Sequence, residues 1–477
     1  MVQDNLLEKI LLELAQIKQE NRELKAEIKR LNEIINKDSS NSSKPPSTND
    51  GFKDANKNDN SKSTATKKKK KSRGGQNGRK GTNLKKVNNP DYIEKLEIHS
   101  CKNCNHNLED INSIITGIKQ QFDIPKIKIE VTQYQQHSKT CPCCNTVNKP
   151  DFPANLKSYV QYGDNIKAFI AYLNTYQMLP YDRISELLED FVSHKISSGT
   201  IYNMLNNFYD KLEPFENDIK DLLLKSEVIN VDETGNRVKN KLHWTHTVSS
   251  SIATYYMIHK KRGKDAIEDM AILPNFKGIA VHDHWKPYNK YLCTHSFCNA
   301  HHLRELIGIV QNEDVRWAFD MHSLLTNMNN YIYNLNENDK SSPSKGKIQQ
   351  FYQQYDKICE AALKFYPPPH NPTNSKRKLK QCKGKNLLDR FIIYKDETLR
   401  FFTNLLVPFT NNLAERDLRM IKVKEKISGC FASFKGAQIF NRIRSYISTV
   451  KKNNRSVLDE LNNILIGKYY VPNLVGC

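Results

Sequence analysis

The most regular hydrophobic pattern of the chain is a heptad repeat over residues 7–35. Apolar side chains recur there at alternating intervals of three and four residues, as in a two-stranded coiled coil. One polar residue, Asn21, interrupts the stripe, and an asparagine at such a position fixes the register of a parallel dimer. Glu13 and Lys18 lie where they can attract across the seam. We predict that residues 1–36 form a zipper that joins two chains, the alternative being an amphipathic helix packed on its own domain.

The segment 37–90 has no such pattern. Residues 37–66 are mostly polar, with too few apolar side chains to build a core, so we predict a disordered linker. A glycine-containing basic arm follows, which can track a phosphate backbone or enter a minor groove. A solvated run of charge is the alternative. The candidate DNA-binding residues of this arm are Lys67, Lys68, Lys69, Lys70, Lys71, Arg73, Arg79 and Lys80.

The composition favours a polyanionic partner. The 477 residues include 73 Lys and Arg against 52 Asp and Glu, a formal charge of +21, which suits nucleic acid or an anionic membrane surface. No apolar run reaches the roughly 18 residues of a membrane span, and the charged N-terminus is unlike a signal peptide. We therefore expect a cytoplasmic protein with reduced thiols and no membrane partner.

Two C-x-x-C pairs indicate a metal site in residues 91–158. Together they supply four thiolates, enough for a tetrahedral structural zinc ion. The residues between the pairs alternate in polarity, which predicts the strands of a zinc ribbon's hairpin. Cys143 can replace one of its neighbours as a ligand, and free thiols are the alternative to a zinc site. The predicted ligands are Cys101, Cys104, Cys141 and Cys144.

Helical spacing of apolar residues dominates the segment 159–224. Pro180 interrupts this pattern, and a turn at residues 194–198 precedes a second amphipathic stretch at 199–212. This order is similar to a helix-turn-helix DNA-binding unit. An ordinary helical hairpin would have the same pattern.

Three carboxylates follow sequence features that can bring acids to one cleft. Asp232 follows a short apolar run that we predict to be a strand, and Asp283 follows another. Glu415 lies in the first turns of a predicted helix that Asn411 or Asn412 can cap. Carboxylates crowded at the edge of a sheet repel one another unless a cation lies between them, and Mg²⁺ prefers such oxygen ligands.

Several strings closely resemble transposases of the insertion sequence 66 family. They are VDETGNRV, HDHWKPY, SFCNAHHLREL, NNLAERDLRMIKVKEKISGCF and RIRSYISTVKKN, and SSKPPST, the basic arm and the paired cysteines follow the same family order. The resemblance implies a DDE transposase, named for its two aspartates and one glutamate, with a ribonuclease-H-like catalytic core. It also implies that Asp232, Asp283 and Glu415 bind Mg²⁺ or Mn²⁺ and catalyse cleavage by a two-metal mechanism.

The resulting prediction is a multidomain α+β protein. It has a coiled coil, a zinc ribbon, a helical DNA-binding segment and an α/β ribonuclease-H-like domain formed by residues 225–310 and 406–477. The long interval between the second and third acids implies a helical insertion at 311–405. The resemblance also implies a prokaryotic, nucleoid-associated protein that can require accessory proteins of its own element.

Other residues around these strings have two interpretations each. Cys298 and His301 form a C-x-x-H pair that can line the cleft, bind DNA or pack beside the sheet. Glu233 should point away from Asp232, as a supporting or surface acid. Arg416, Arg419 and Lys422 can contact DNA phosphates, although Arg419 can instead form an ion pair with Glu415. The basic residues expected to continue this face, along DNA or in solvent, are Lys424, Lys426, Lys435, Arg442 and Arg444.

The function predicted from the sequence is a DNA transposase. It would bind the terminal inverted repeats of its element as a homodimer, cleave the strands and transfer them to target DNA. One alternative is a non-catalytic, zinc-containing DNA-binding repressor. The other is a ribonuclease-H-like nuclease that acts without transposition.

Overall fold

A computed structural model of the chain describes residues 2–35, 37, 84–313, 315–337, 342–366 and 381–474. Contacts divide the chain into two compact units, residues 1–51 with 131–477 and residues 52–130. The basic arm, with its eight candidate residues at 67–80, lies outside the described residues, as does nearly all of the predicted linker.

Residues Val2–Ile35 form one uninterrupted helix, α1. Leu14, Ile17, Leu24 and Ile28 of the heptad's apolar stripe are exposed along it. Asn21 donates a hydrogen bond from Nδ2 to the carbonyl oxygen of Ile17, 3.3 Å away within the helix. None of the residues that the structure describes covers this part of the apolar stripe.

The described part of the unit 52–130 has little regular structure. An isolated antiparallel bridge joins Ser100 to Asn107, and the side chain of Gln120 makes two backbone hydrogen bonds of 2.8 Å with Val87. The hairpin strands predicted between the cysteine pairs are absent, because residues 113–138 form no regular element. Their apolar side chains, such as Ile124, are exposed and have no partner strand against which to pack.

The other unit contains two sheets. A two-stranded antiparallel sheet pairs β1 with β2, and a five-stranded mixed sheet has the order β5-β4-β3-β6-β7. In the larger sheet β3, β4 and β5 are antiparallel, whereas β6 and β7 run parallel to β3. The strands are β1 (Lys139–Thr140), β2 (Val147–Asn148), β3 (Val228–Val238), β4 (Lys241–Ser249), β5 (Thr254–His259), β6 (Ile279–His282) and β7 (Thr294–Phe297).

The local sequence explains the connections of this sheet. Lys239 and Asn240 both have positive φ, at 48° and 62°, which is the geometry of a tight two-residue hairpin turn between β3 and β4. The parallel pairing of β3 with β6 requires a longer crossover, which includes the short helix Lys264–Met270.

Thirteen helices follow α1 in the described residues, and they surround the sheet or form their own layer. They are α2 (Asp164–Ala171), α3 (Tyr181–Val192), α4 (Ser198–Lys211), α5 (Glu213–Lys225), α6 (Lys264–Met270), α7 (Asn299–Glu313), α8 (Arg316–Glu337), α9 (Lys345–Leu363), α10 (Lys383–Ile393), α11 (Lys395–Thr403), α12 (Asn412–Ser428), α13 (Phe434–Lys452) and α14 (Val457–Leu465).

Two large hydrophobic clusters organise these helices. The first joins α2–α5 to the sheet and to α13 and α14, so the segment 159–224 shares a core with the sheet. The second joins α7 to α8–α11, with Trp317 and Phe391 fully buried. The interval between Asp283 and Glu415 thus contains five helices, α7–α11, that share a core, and Val281 of β6 belongs to the same cluster. None of the described helices combines the length and hydropathy that a membrane span requires.

Candidate active site

The three predicted carboxylates come from neighbouring elements. Asp232 lies within β3, Asp283 directly follows β6, and Glu415 lies in the first turn of α12. Asn230 pairs with Val281, so the parallel register brings Asp232 and Asp283 to the same level of the sheet. Helix α12 packs against β3 and β4. The prediction that Asp232 ends its strand was wrong, because the polar residues after it continue to pair with β4.

The carboxyl group of Asp232 is buried near other acids. Burial raises the pKa of Asp232 well above its usual value, and the negative charges of Glu233, Asp283 and Glu415 raise it further. Burial also raises the pKa of Asp283, while the nearby guanidinium of Arg262 opposes that shift. A divalent cation would relieve this repulsion, and the carboxylate oxygens are the donors that Mg²⁺ prefers.

Backbone groups orient the two aspartates. Asp232 accepts a hydrogen bond at Oδ1 from the N–H of Glu233, at 2.9 Å. Asp283 accepts one at Oδ1 from the N–H of Trp285, at 3.0 Å. Each carboxylate therefore keeps its other oxygen free of this contact and available to a ligand.

Asn411 connects the elements that carry the acids. Its side chain is fully buried, donates from Nδ2 to the Val231 carbonyl at 3.0 Å, and accepts at Oδ1 from Asn230 at 2.9 Å. Its own N–H donates to Cys298 Sγ at 3.1 Å. Asn411 is the N-cap residue of α12, yet its side chain makes no capping hydrogen bond. It ties the start of α12 to β3 next to Asp232 instead.

The C-x-x-H pair lies against the third acid. Cys298 Sγ and His301 Nδ1 each lie 3.9 Å from Glu415 Oε1. Cys298 is buried and His301 is largely buried. Burial raises the pKa of the Cys298 thiol to about 11 and lowers the pKa of His301 to about 4. The thiol and the imidazole are therefore both neutral at pH 7 when no metal is bound.

Glu233 is a buried member of the site rather than a surface acid. Its side chain is 1% exposed and forms an ion pair with Arg262 Nη2 at 2.7 Å. The hydroxyl of Tyr288 donates to its other oxygen. The Arg262 guanidinium stacks on the rings of Trp285, at 4.3 Å, and Trp244, at 4.9 Å. The sequence signal for this network was the string HDHWKPY, which supplies an aromatic pair directly after Asp283.

The predicted basic residues of α12 differ in their exposure. Arg416 and Arg419 are exposed, and among the described residues no ion pair joins either of them to Glu415. Lys422 is half-buried, with Nζ hydrogen-bonded to the Gly235 carbonyl and 2.9 Å from Glu425 Oε2. The exposed arginines are thus free for an anionic ligand, whereas Lys422 is already engaged within the chain.

The expectation that the basic face continues through Lys424, Arg442 and Arg444 was wrong. Lys424 is buried with Nζ 3.4 Å from the Met178 carbonyl, and burial lowers its pKa to about 8. Arg442 pairs with Glu216. Arg444 is also buried. Their long side chains fill internal space, so these residues serve packing rather than DNA contact.

The two cysteine pairs belong to different units, and each forms the same local turn. The N–H of Asn105 donates to the Cys101 carbonyl at 2.9 Å, and Asn105 has a φ of 55°. In the second pair the N–H of Asn145 donates to the Cys141 carbonyl at 2.9 Å, with a φ of 56°.

Hydrogen bonding in these turns favours the thiolate form of two cysteines. The Asn103 N–H lowers the pKa of Cys101, and the Thr146 hydroxyl, which contacts Sγ at 3.2 Å, lowers the pKa of Cys144. Because thiolates are the form that binds zinc, each turn is suited to supply metal ligands.

Comparison with protein-family models gives three matches. Residues 159–439, more than half of the chain, match the model described as "Transposase IS66 family". Residues 99–145 match the "zinc-finger binding domain of transposase IS66", a range that contains both cysteine pairs. Residues 3–85 match a "Family of unknown function (DUF6444)". No curated protein matches the chain.

Proposed function

We propose a function from the premise that the chain belongs to the IS66 family of transposases. In this proposal the chain binds the terminal inverted repeats of its own element, cleaves DNA there and joins the freed ends to target DNA. The observation that carries this proposal is the placement of Asp232, Asp283 and Glu415 on or next to the neighbouring elements β3, β6 and α12. Burial, Glu233, Asp283 and Glu415 together raise the pKa of Asp232, which agrees with that placement. Buried acids that raise one another's pKa are costly to stability, and metal-dependent phosphodiester chemistry is a function that requires them.

We assign a ribonuclease-H-like core to residues 225–310 and 406–477. The mixed five-stranded sheet supports this assignment, with the acids where its parallel strands β3 and β6 lie side by side. Ligands of α/β sheets characteristically bind near the carboxyl ends of parallel strands, and Asp283 directly follows β6. The helices at 316–403 form the proposed insertion between the second and third acids.

Asp232, Asp283 and Glu415 would hold Mg²⁺ or Mn²⁺, since their oxygen donors suit these ions. When bound, a pair of such ions supplies activation of a water or 3′-hydroxyl nucleophile and stabilisation of the leaving oxygen. The protein itself fixes the relative positions of the three carboxylates, with Asn411 joining α12 to β3. Arg416 and Arg419 are exposed next to Glu415, where they can bind the phosphates of the DNA strand.

DNA binding and pairing of element ends are assigned to the other segments. We assign structural zinc to Cys101, Cys104, Cys141 and Cys144, which lie within the zinc-finger match. The basic arm at 67–80 and helices α3 and α4 would contact the inverted repeats. The exposed apolar stripe of α1 would be covered by a second copy of the chain, which brings two element ends together. Accessory proteins of the same element would join this assembly.

The test is an assay of cleavage and strand transfer with the full chain on DNA bearing the element's ends. We expect activity that requires Mg²⁺ or Mn²⁺ and that falls at least about 10³-fold in Asp232→Asn, Asp283→Asn and Glu415→Gln, since each removes a metal ligand. Asp269→Asn is the matched control, because Asp269 is a surface acid of the same unit. Full activity in all three acid variants would refute the assignment.

Two alternatives predict different results in the same assay. A DNA-binding repressor would show salt-sensitive binding to the ends and no cleavage with either ion. A nuclease without transposition would cleave DNA regardless of the terminal repeats and produce no joined product.

A further inference from the structure

A sulfur and a nitrogen donor lie beside Glu415, apart from the oxygen donors of the aspartates. Among the residues that the structure describes, Cys298, His301 and Glu415 form the one group of three metal-ligating side chains whose donor atoms all lie within 4.8 Å of one another. Cys298 Sγ and His301 Nδ1 both lie 3.9 Å from the same carboxylate oxygen. The proposed phosphodiester chemistry uses the carboxylate and leaves the other two donors without a role.

The backbone holds these donors in place. The Cys298 N–H donates to the His282 carbonyl at 2.8 Å, and the His301 N–H donates to the Cys298 carbonyl at 3.1 Å, at the start of α7. The Asn411 N–H donates to Cys298 Sγ at 3.1 Å, and such a bond also stabilises a thiolate. His301 Nδ1 is buried and has no hydrogen-bond partner. Since no hydrogen bond occupies this buried ring nitrogen, which faces the Glu415 carboxylate, it can bind a metal ion.

The spacing of the donors suits a small tetrahedral ion. Bond lengths of about 2.3 Å to sulfur and about 2.0–2.2 Å to nitrogen or oxygen place tetrahedral ligands about 3.3–3.6 Å apart. The two measured separations of 3.9 Å would need to close by about 0.3–0.6 Å, which side-chain rotation can supply. Three protein ligands also leave a fourth position for water.

We propose that Cys298, His301 and Glu415 form a second metal site, selective for Zn²⁺ over Mg²⁺, and that its occupation withdraws Glu415 from the catalytic triad. Thiolate and imidazole donors select zinc, whereas Mg²⁺ takes oxygen donors. Binding converts the Cys298 thiol to a thiolate and releases its proton to solvent. The inhibitory consequence rests on the proposed function, whereas the existence of the site does not.

The first test counts metal in the full chain. After dialysis against Zn²⁺, the unmodified chain should retain one more equivalent of zinc than Cys298→Ser or His301→Gln. The zinc assigned to Cys101, Cys104, Cys141 and Cys144 should be the same in all three proteins. Cys293→Ser is the matched control, because Cys293 is also a buried thiol, 4.0 Å from His295 Nε2, but lies outside the group of three. It should retain the metal content of the unmodified chain.

Cobalt provides the spectroscopic readout. Co²⁺ substituted into the chain should give a thiolate charge-transfer band that is weaker in Cys298→Ser than in Cys293→Ser. Loss of a direct ligand should weaken the affinity of this site for the metal ion by at least about 10–100-fold, because losing only a residue that hydrogen-bonds a ligand typically weakens metal affinity by that factor. Equal metal content and equal cobalt spectra in the unmodified chain and both site variants would overturn the proposal.

The inhibition is tested by comparing each variant with its own zinc-free rate. At constant Mg²⁺, added Zn²⁺ should reduce cleavage by the unmodified chain and by Cys293→Ser, and should reduce it at least about tenfold less in His301→Gln. Equal zinc sensitivity of all variants would refute the withdrawal of Glu415. If no form of the chain cleaves DNA, the proposed function fails, and the metal count still decides whether the second site exists.

Discussion

Asn411→Ala should separate the start of α12 from β3 and thereby disturb the geometry of the three acids. The substitution removes the acceptor of the Asn230 amide and the donor to the Val231 carbonyl. Because Asn411 is fully buried, water cannot replace these partners. A buried polar group left unpaired costs about 1–3 kcal/mol, so two of them should lower the free energy of unfolding by about 2–6 kcal/mol.

The catalytic effect should exceed what instability alone produces. Glu415 lies in the first turn of α12, and its N–H donates to the Asn411 carbonyl at 3.2 Å, so a shift of this helix end moves the carboxylate relative to Asp232. A displacement of about 1 Å can cost about 10²-fold in rate. We expect the folded Asn411→Ala protein to bind DNA normally but to cleave it about 10–100-fold more slowly at saturating Mg²⁺.

Denaturant unfolding and single-turnover cleavage would measure the two effects, with Asn412→Ala as control. Asn412 is the adjacent residue of the same type, but it is exposed, so its loss should change stability by no more than about 0.5 kcal/mol. The reasoning is refuted if Asn411→Ala unfolds within about 0.5 kcal/mol of the control and cleaves at the same rate.

Three further predictions concern buried charge. Arg262→Ala should lower the free energy of unfolding by about 2–4 kcal/mol, because the buried Glu233 carboxylate loses its ion-pair partner. In a double-mutant cycle measured by denaturant unfolding, Arg262→Ala combined with Glu233→Gln should lower that free energy by less than Arg262→Ala alone. The pKa of Asp232 is higher in the folded chain than in the unfolded chain, so the metal-free protein loses stability as pH rises above about 4 and this carboxyl must ionise. Asp232→Asn should therefore raise the Tm measured in chelator at pH 7, and it should reduce the increase in Tm that Mg²⁺ produces. The pKa of Lys424 falls from 10.5 to about 8, so stability gains about 3 kcal/mol as pH rises through that window; Lys424→Met should abolish this gain in pH-dependent unfolding.

The family and the mixed α+β class were predicted from sequence, and both are confirmed. The strand before Asp283 was recognisable because its apolar run is short and the acid directly follows the strand. The strand containing Asp232 was not, since polar residues such as Thr234 and Asn236 continue it by pairing with β4. The hydropathy pattern does not predict the second half of β3, because these polar residues are in a strand only through their hydrogen bonds to β4.

Long-range partners explain the remaining failures. Arg442 pairs with Glu216, and Lys424 contacts the Met178 carbonyl, each more than 200 residues away in the chain. Nothing in the local sequence distinguishes such a buried cation from one exposed to DNA. Asn411 was considered as a helix cap because capping is a local rule, but its hydrogen bonds join it to residues 180 positions earlier.

The separate core between Asp283 and Glu415 has a consequence for synthesis of the chain. The ribosome must add 132 residues after Asp283 before it reaches Glu415, which takes about 7–26 s at about 5–20 residues per second. Helices α8–α11 can pack together during that interval, because they share a hydrophobic cluster of their own. A nascent or prematurely ended chain therefore holds two acids without the third. Under the proposed assignment of the triad, an unfinished polypeptide would lack one metal ligand and would not cut the DNA near the ribosome that is making it.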